Sequence, residues 1–273
     1  MITKKIYVKN DMYQKIEVLK TNRNKRYKEK KFFVEGVRNI NEAIKNSWAI
    51  CSFIFTKEKP LSDWALDLLN KVNTDVNYEL TSDLMKELSN KIDTSELIAI
   101  VKMREDSFDQ FNLSNNPIIA LFDRPSNKGN LGTIIRSCDA LGIDGLIITG
   151  HAVDLYDPEV IVSSMGSFFT VPVIRINDNN QVFGFIAQMK NIYHNFLTIG
   201  TTSHNKHTIF NVDLTTPLMF MIGNETDGLC KTYIENCDIL TTIPMNINSS
   251  ASSFNVACAS TVMFYEAIRQ RTK

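Results

Sequence analysis

The sequence predicts an α/β protein: a C-terminal domain with a mostly parallel sheet, preceded by a smaller N-terminal α/β domain. Three observations predict it. From Ile118 onward, apolar runs alternate with helix-like segments, the rhythm of a parallel sheet covered by helices. Those runs are apolar throughout, as strands buried on both faces are. Before Met103 the apolar segments are shorter and more mixed, and a polar stretch from Arg104 to Asn116 leads to Pro117. The expected division is 1–103, a linker over 104–116, and 117–273.

In the first region, Gly36 to Lys45 sets Val37, Ile40, Ala43 and Ile44 on one helical face. Cys51 to Phe55 reads as a buried strand. Leu61 to Val72 is helical again, with Trp64, Ala65, Leu68 and Leu69 on one face. Ser82 or Asp83 is a candidate cap for a helix through Leu88, and Leu97 to Val101 is a short strand. In the second region the strands are Ile118–Phe122, Gly145–Thr149, Val171–Ile174, Phe196–Ile199 and Leu218–Ile222. Helices are expected over Leu131–Leu141, from Asp157-Pro158 onward, and over Ser253–Arg271.

The chain has 273 residues, 44% hydrophobic and 22% charged, ordinary for a folded protein. No apolar run has the length of a membrane span, and Met1 to Lys9 lacks an apolar signal core, so a cytoplasmic protein is expected. The five cysteines (Cys51, Cys138, Cys230, Cys237, Cys258) form no Cys-x-x-Cys pair and predict free thiols. The histidines, His151, His194, His204 and His207, show no metal-ligand spacing, and no metal is expected. Net charge is zero but uneven: residues 1–31 hold eleven Lys or Arg against Asp11, Glu17 and Glu29. Such asymmetry points to an anionic partner. Arg23, Lys25, Arg26, Lys28, Lys30 and Lys31 are the candidate contacts to nucleic acid or another anionic surface, with Tyr27, Phe32 and Phe33 available for stacking on bases.

Three segments fall near the carboxyl ends of expected strands, where open α/β sheets bind ligands. Asn127 to Arg136 is a glycine-containing turn into a helix, carrying Asn130 and Arg136. It is neither a dinucleotide fingerprint nor a phosphate loop, which argues against a nicotinamide-dependent dehydrogenase. Met221 to Leu229 runs an apolar strand into Gly223 and the acidic turn of Glu225. Ile243 to Ala257 is a polar, serine-rich loop entering the last helix past Ser252, Ser253 and Asn255.

Together, in this order, the three segments resemble the motifs of the SpoU (TrmH-like) RNA ribose 2′-O-methyltransferases of the SPOUT superfamily. Asn-x-Gly-Asn-x-Gly-x-x-x-Arg is matched from Asn127 to Arg136, strand-Gly-x-Glu-x-x-Gly from Leu218 to Gly228, and Ile-Pro-Met…Ser-Leu-Asn-Val from Ile243 to Val256. Ser163 to Ser167 resembles a recurrent family segment. The basic N-terminal region, with Phe33-Val34-Glu35-Gly36 opening a helix, resembles the family's accessory RNA-binding domain, akin to ribosomal protein L30e. Two departures stand out. Seven glycine-free residues, Asn246 to Ser252, fill a third-motif loop that usually has five, and Phe254 replaces leucine. The adenine-side pocket is therefore expected to differ in shape.

The resemblance implies a trefoil-knotted catalytic domain, S-adenosylmethionine as cofactor and a homodimer with the active site near the interface. It implies cofactor contacts from Gly223, Ile243, Phe254 and Thr201, and a catalytic set of Arg136, Asn130, Glu225, Ser253 and Asn255. Ser253, rather than Ser252, keeps the family's offset from Asn255. The expected substrate is large-subunit (23S) rRNA. The alternatives are a tRNA ribose methyltransferase and a non-catalytic RNA-binding protein of the same fold.

Overall fold

The computed structural model describes residues 2–89, 91, 93–203 and 207–272. In chain order the elements are β1 (Thr3–Ile6), α1 (Asp11–Thr21), α2 (Arg23–Glu29), β2 (Lys31–Glu35), α3 (Val37–Lys45), β3 (Ile50–Phe55), α4 (Asp63–Lys71), β4 (Asn77–Leu80), α5 (Ser82–Leu88) and β5 (Leu97–Lys102). They continue with β6 (Ile118–Asp123), α6 (Lys128–Ala140), β7 (Gly145–Thr149), α7 (Pro158–Ser163), β8 (Val173–Ile176), α8 (Asn179–Ile192), β9 (Leu197–Thr201), β10 (Leu218–Ile222), α9 (Lys231–Asn236), β11 (Ile239–Thr241) and α10 (Val256–Arg271). Among the described residues no helix is long and apolar enough to cross a membrane.

The chain divides into two compact units: Met1–Arg104 with Asp154–Thr170, and Glu105–Val153 with Val171–Lys273. In the first unit the sheet order is β1-β4-β3-β5-β2. β1, β4 and β3 run parallel, while β5 is antiparallel to both its neighbours. One face buries Tyr13, Ile16 and Leu19 of α1 against Phe33, Ile54 and Ile98. Thr81, not Ser82 or Asp83, caps α5 by accepting from Leu84 N–H. Asp154–Thr170 packs here, although the sequence runs it into the second region. Its Tyr156, Phe168 and Phe169 cluster with Phe32 and Trp48 at ring separations of 4.8 to 6.3 Å.

The basic stretch is two helices. Asn22 caps α2 by accepting from Lys25 N–H, and α2 turns Arg26 inward. Arg26 is 1% exposed, which corrects its assignment as an RNA contact. Its Nε donates to Asp154 Oδ2 at 2.7 Å, and its Nη1 donates to the carbonyls of Leu19 and Lys20 at 2.9 Å. Those carbonyls belong to the last turn of α1, where helices leave acceptors unpaired. Arg26 thus closes one helix and neutralises a buried carboxylate. Lys25, Lys28 and Lys30 stay exposed; Arg23 lies 5.8 Å from the Tyr27 ring, and Lys31 is 3.9 Å from Asp75.

The second unit has a fully parallel sheet, ordered β11-β9-β10-β6-β7-β8. Its core sets Ile119, Leu121, Ile147, Met219 and Met221 against Val182, Phe185 and Ile186 of α8. The polar stretch after Arg104 is not a solvated linker. Phe108 stacks on Phe185 with centroids 4.2 Å apart, and Phe111 packs so close to Gly145 that a Cβ there would sit 2.6 Å from its ring. The two phenylalanines were hidden in a segment without periodicity. Asn127 caps α6, which starts three residues before the predicted Leu131, and Asn255 caps α10, which starts three after the predicted Ser253. No disulfide forms: Cys51 and Cys138 are buried thiols and Cys258 is exposed.

Candidate active site

Register explains why distant segments meet. β10 lies between β9 and β6, with Ile222 opposite Phe122, so Gly223 follows beside Asp123. The loops leaving the carboxyl ends of β6, β9, β10 and β11 therefore gather at one edge. Loops gathered at such an edge form the ligand crevice of an open parallel sheet.

A cavity of about 290 Å³ opens there. Thr201, Gly223, Ile243 and Phe254 all line it, as does Ser253, whereas Ser252 does not. The rest of the wall includes Thr202, Glu225, Leu229, Thr242, Met245 and Met263. Apolar side chains, hydroxyls and strand-end backbone suit an adenosine-sized ligand, and the carboxylates of Glu225 and Asp227 suit one bearing positive charge. S-adenosylmethionine fits that donor set.

Residues from all three motif segments meet beside the cavity. Glu225 accepts from Ser126 N–H at 2.9 Å, Ser126 Oγ at 2.7 Å, Asn127 N–H at 3.1 Å and Asn130 Nδ2 at 3.3 Å. Asn130 Oδ1 in turn accepts from Asn255 Nδ2 at 3.1 Å. Asn255 Oδ1 is occupied by the Ala257 and Cys258 N–H groups as the cap of α10. The amide of Asn130 is thereby held from both sides.

Burial pushes the Glu225 carboxyl up, but the bonds from Ser126, its own backbone and Asn130 outweigh it and leave the pKa below the usual 4.5. A lowered acid stabilises the fold above its unfolded value and loses that contribution as pH falls through the folded one. Glu225→Gln is thus expected to melt below the wild type at pH 7, with the gap closing as the pH falls below the usual glutamate value and through the lowered folded one. Thermal melts of the two proteins across that range check it; a gap independent of pH would show that charge is irrelevant.

Arg136 is not part of the cavity wall. It sits on the exposed face of α6, and among the described residues it has no hydrogen-bond or ion-pair partner. It borders a second, mostly apolar groove of about 500 Å³ between α6 and α10, with Thr133, Leu141, Val262 and Tyr265. No helix follows Thr226 or Asp227 directly: Asn224 and Gly228 pair their backbones across a tight turn, and α9 starts at Lys231. Gly223 proves to be required by backbone packing, because a Cβ there would lie 2.1 Å from Leu229 N. Sequence reasoning missed Ser126, Asn224 and the pair Asp123 and Arg124. Their signal was position, at or within three residues of the end of a buried strand. Among the described residues no group of three or more His, Cys, Asp or Glu could hold a metal; His204 lies outside those residues.

A parallel sheet with a ligand cavity at its carboxyl edge, joined there by three motif segments, defines a cofactor-binding α/β domain. The chain belongs to the SpoU rRNA methylase family, whose model matches residues 117–265, and residues 10–99 match the SpoU L30e-like domain. It is 38% identical, over 98% of its length and 93% of the relative's, to the 23S rRNA (uridine(2479)-2′-O)-methyltransferase of Streptomyces viridochromogenes. It is 25% identical, over 89% and 90%, to the 23S rRNA (guanosine(2553)-2′-O)-methyltransferase RlmP of Bacillus subtilis. The crystal structure of the SpoU methyltransferase AviRb from Streptomyces viridochromogenes, in complex with the cofactor AdoMet, superposes with a TM-score of 0.91 at 38% identity, covering 97% of this chain and 99% of that one.

Proposed function

We propose that the protein is an S-adenosylmethionine-dependent methyltransferase acting on a ribose 2′-hydroxyl of 23S rRNA. One observation carries the reading: Asn130, Glu225 and Asn255, from three separate segments, hydrogen-bond into one array at the rim of the cavity. Thr201, Gly223, Ile243 and Phe254 would hold the cofactor. When bound, S-adenosylmethionine supplies an electrophilic methyl group on a sulfonium.

The protein's own task is alignment and charge stabilisation. Glu225 has its oxygens filled by four donors, so it orients Asn130 rather than taking a proton. Asn255 fixes the other side of Asn130 and the start of α10. Ser253 contributes a hydroxyl at the cavity edge. Among the described residues Arg136 has no hydrogen-bond or ion-pair partner, as a group reserved for an anionic substrate would have none. A guanidinium, a planar and persistently charged donor, suits phosphate clamping and polarisation of the hydroxyl better than proton removal.

We assign the homodimer to the face of α6 and α10, where Val262 and Tyr265 are 40% and 58% exposed beside Arg136. A partner there would bring its own surface to Arg136. The knotted chain path and the cytoplasmic location are inferred from family membership. Lys25, Lys28, Lys30, Lys31 and Arg23 are the RNA contacts of the first unit.

The test is transfer of labelled methyl from S-adenosylmethionine to separate pools of unmodified 23S rRNA and tRNA. Label is expected in the 23S pool, on a ribose. Arg136→Ala is expected to lose at least ~100-fold in rate while cofactor affinity stays within about twofold. Label in tRNA alone would overturn the substrate; no transfer to either pool together with no cofactor binding would favour a non-catalytic RNA binder. Unchanged turnover in Arg136→Ala would remove Arg136 from the chemistry.

A further inference from the structure

The turn that walls one side of the cavity is held from outside it. Asn224 and Gly228 exchange backbone hydrogen bonds at 3.0 and 3.1 Å, closing a loop of Glu225, Thr226 and Asp227. Little in that loop is apolar, so packing alone does not fix where it sits. Arg124, the first residue after β6, reaches it three ways. Its Nη2 donates to Gly228 O at 3.0 Å, its Nη1 lies 3.8 Å from Asp227 Oδ2, and its backbone carbonyl accepts from Asn224 Nδ2 at 2.6 Å.

The same guanidinium is anchored to the sheet. Its Nε donates at 3.0 Å to Asp123 Oδ2, a carboxylate only 2% exposed. That oxygen also accepts from Cys230 N–H at 3.0 Å, just beyond the turn, and Thr149 Oγ1 donates to Asp123 Oδ1 at 3.2 Å. Buried carboxylates demand such partners. The planar fork of arginine can serve Asp123 and Gly228 at once, which a lysine cannot.

The backbone carries the signature of an enforced geometry. Arg124 has φ of +52°, a left-handed conformation that costs a residue with a side chain. Across from it Gly150 has φ of +65°, and a Cβ at Gly150 would lie 2.6 Å from Arg124 Cγ. Both the strain and the space are spent on admitting this one side chain. Asp123, Arg124 and Gly150 lie outside the cavity wall, so their arrangement acts through the turn.

We infer that Arg124 is a positioning residue for the cofactor: its guanidinium staples the 224–228 turn to the end of β6 and so sets the wall formed by Gly223, Glu225 and Leu229. The inference rests on reading the cavity as the S-adenosylmethionine site. Removing the fork leaves the turn closed on itself but free to shift against β6, and affinity falls before chemistry does.

The experiment combines titration calorimetry with S-adenosylmethionine, thermal melting, and hydrogen exchange of the free protein. Arg124→Lys keeps a charge beside Asp123 but not the fork. It is expected to melt near the wild type yet to bind the cofactor roughly tenfold more weakly, the scale of one missing charge-assisted hydrogen bond. Its kcat at saturating cofactor should stay within about threefold of the wild type. Gly150→Ala, which crowds Arg124 without changing its chemistry, is expected to weaken binding in the same direction. Thr149→Val, which removes a different donor from Asp123, is expected to lower the melting temperature and leave affinity unchanged.

In Arg124→Lys the amides of residues 224–229 should exchange faster while those of β6 and β7 do not. Equal loss of affinity in Thr149→Val and Arg124→Lys would reduce Arg124 to a structural charge and overturn the staple. So would unchanged exchange in the turn. If the wild type bound no S-adenosylmethionine while the turn still loosened in Arg124→Lys, the cofactor reading would fail and the staple would stand.

Discussion

Arg26→Met is expected to destabilise the protein by about 3–5 kcal/mol, the cost of leaving a buried charge without its partner. Asp154 is 5% exposed, and both Nε and Nη2 of Arg26 contact its Oδ2, at 2.7 and 2.6 Å. Asp157 lies 3.5 Å from the same Nη2. Methionine matches the length of the aliphatic stem but returns none of these interactions. It also strips the Leu19 and Lys20 carbonyls at the end of α1 of their donor. Asp154 would retain Tyr27 Oη and the Tyr156 N–H, so the loss is not that of a bare ion. Denaturant unfolding measures the change directly. Replacing Lys25, Lys28 and Lys30 with glutamine should behave in the opposite way. Stability stays near the wild type, while the salt dependence of RNA binding flattens by roughly 0.7–0.9 in log–log slope for each phosphate that is no longer neutralised. A stable Arg26→Met with a flattened slope would return Arg26 to the RNA surface.

That contrast shows what a charge run conceals. Lys25, Arg26 and Lys28 are indistinguishable by composition, and only the partner of Arg26, 128 positions later at Asp154, separates them. The same long range hides the membership of Asp154–Thr170 in the first unit, because its anchors are Phe32 and Trp48 and not anything adjacent in sequence. Where the signal is local, the reading reaches the structure. β6, β7 and β10 are continuous apolar runs, and their ends could be marked to within a residue. The motif segments were legible because residue type and spacing are themselves the signal. Their joining through Asn130 was not, since it depends on β10 lying against β6. Helix starts were displaced at α6 and α10, where an asparagine does the capping: Asn127 and Asn255 read as loop residues of the motif segments, and each accepts from the first turn of its helix.

Gly223→Ala tests the most confined point of the site. The added methyl would meet Leu229 N at 2.1 Å, Gly228 C at 2.3 Å and Gly228 Cα at 2.8 Å. These are backbone atoms, so no rotamer change relieves the clash; the Gly228–Leu229 peptide must move away. Moving it pulls on four hydrogen bonds at once: the two between Asn224 and Gly228, the Arg124 bond to Gly228 O and the Cys230 N–H bond to Asp123. Overpacking of this kind costs about 1–3 kcal/mol, and here every ångström of relief also displaces Gly223, Gly228 and Leu229 in the cavity wall. The expected result is loss of measurable S-adenosylmethionine binding by calorimetry together with a lowered melting temperature. Gly184→Ala is the matched control. Gly184 lies inside α8 with nothing within 4 Å of its Cβ position, so the same substitution there should stabilise by up to about 1 kcal/mol and leave binding untouched. One methyl group thus has opposite expected signs at two glycines, and the difference comes from what lies across from each. If Gly223→Ala bound the cofactor as well as the wild type, the turn would have to be free to slide along β10, and both the clash and the staple that holds it would lose their consequence.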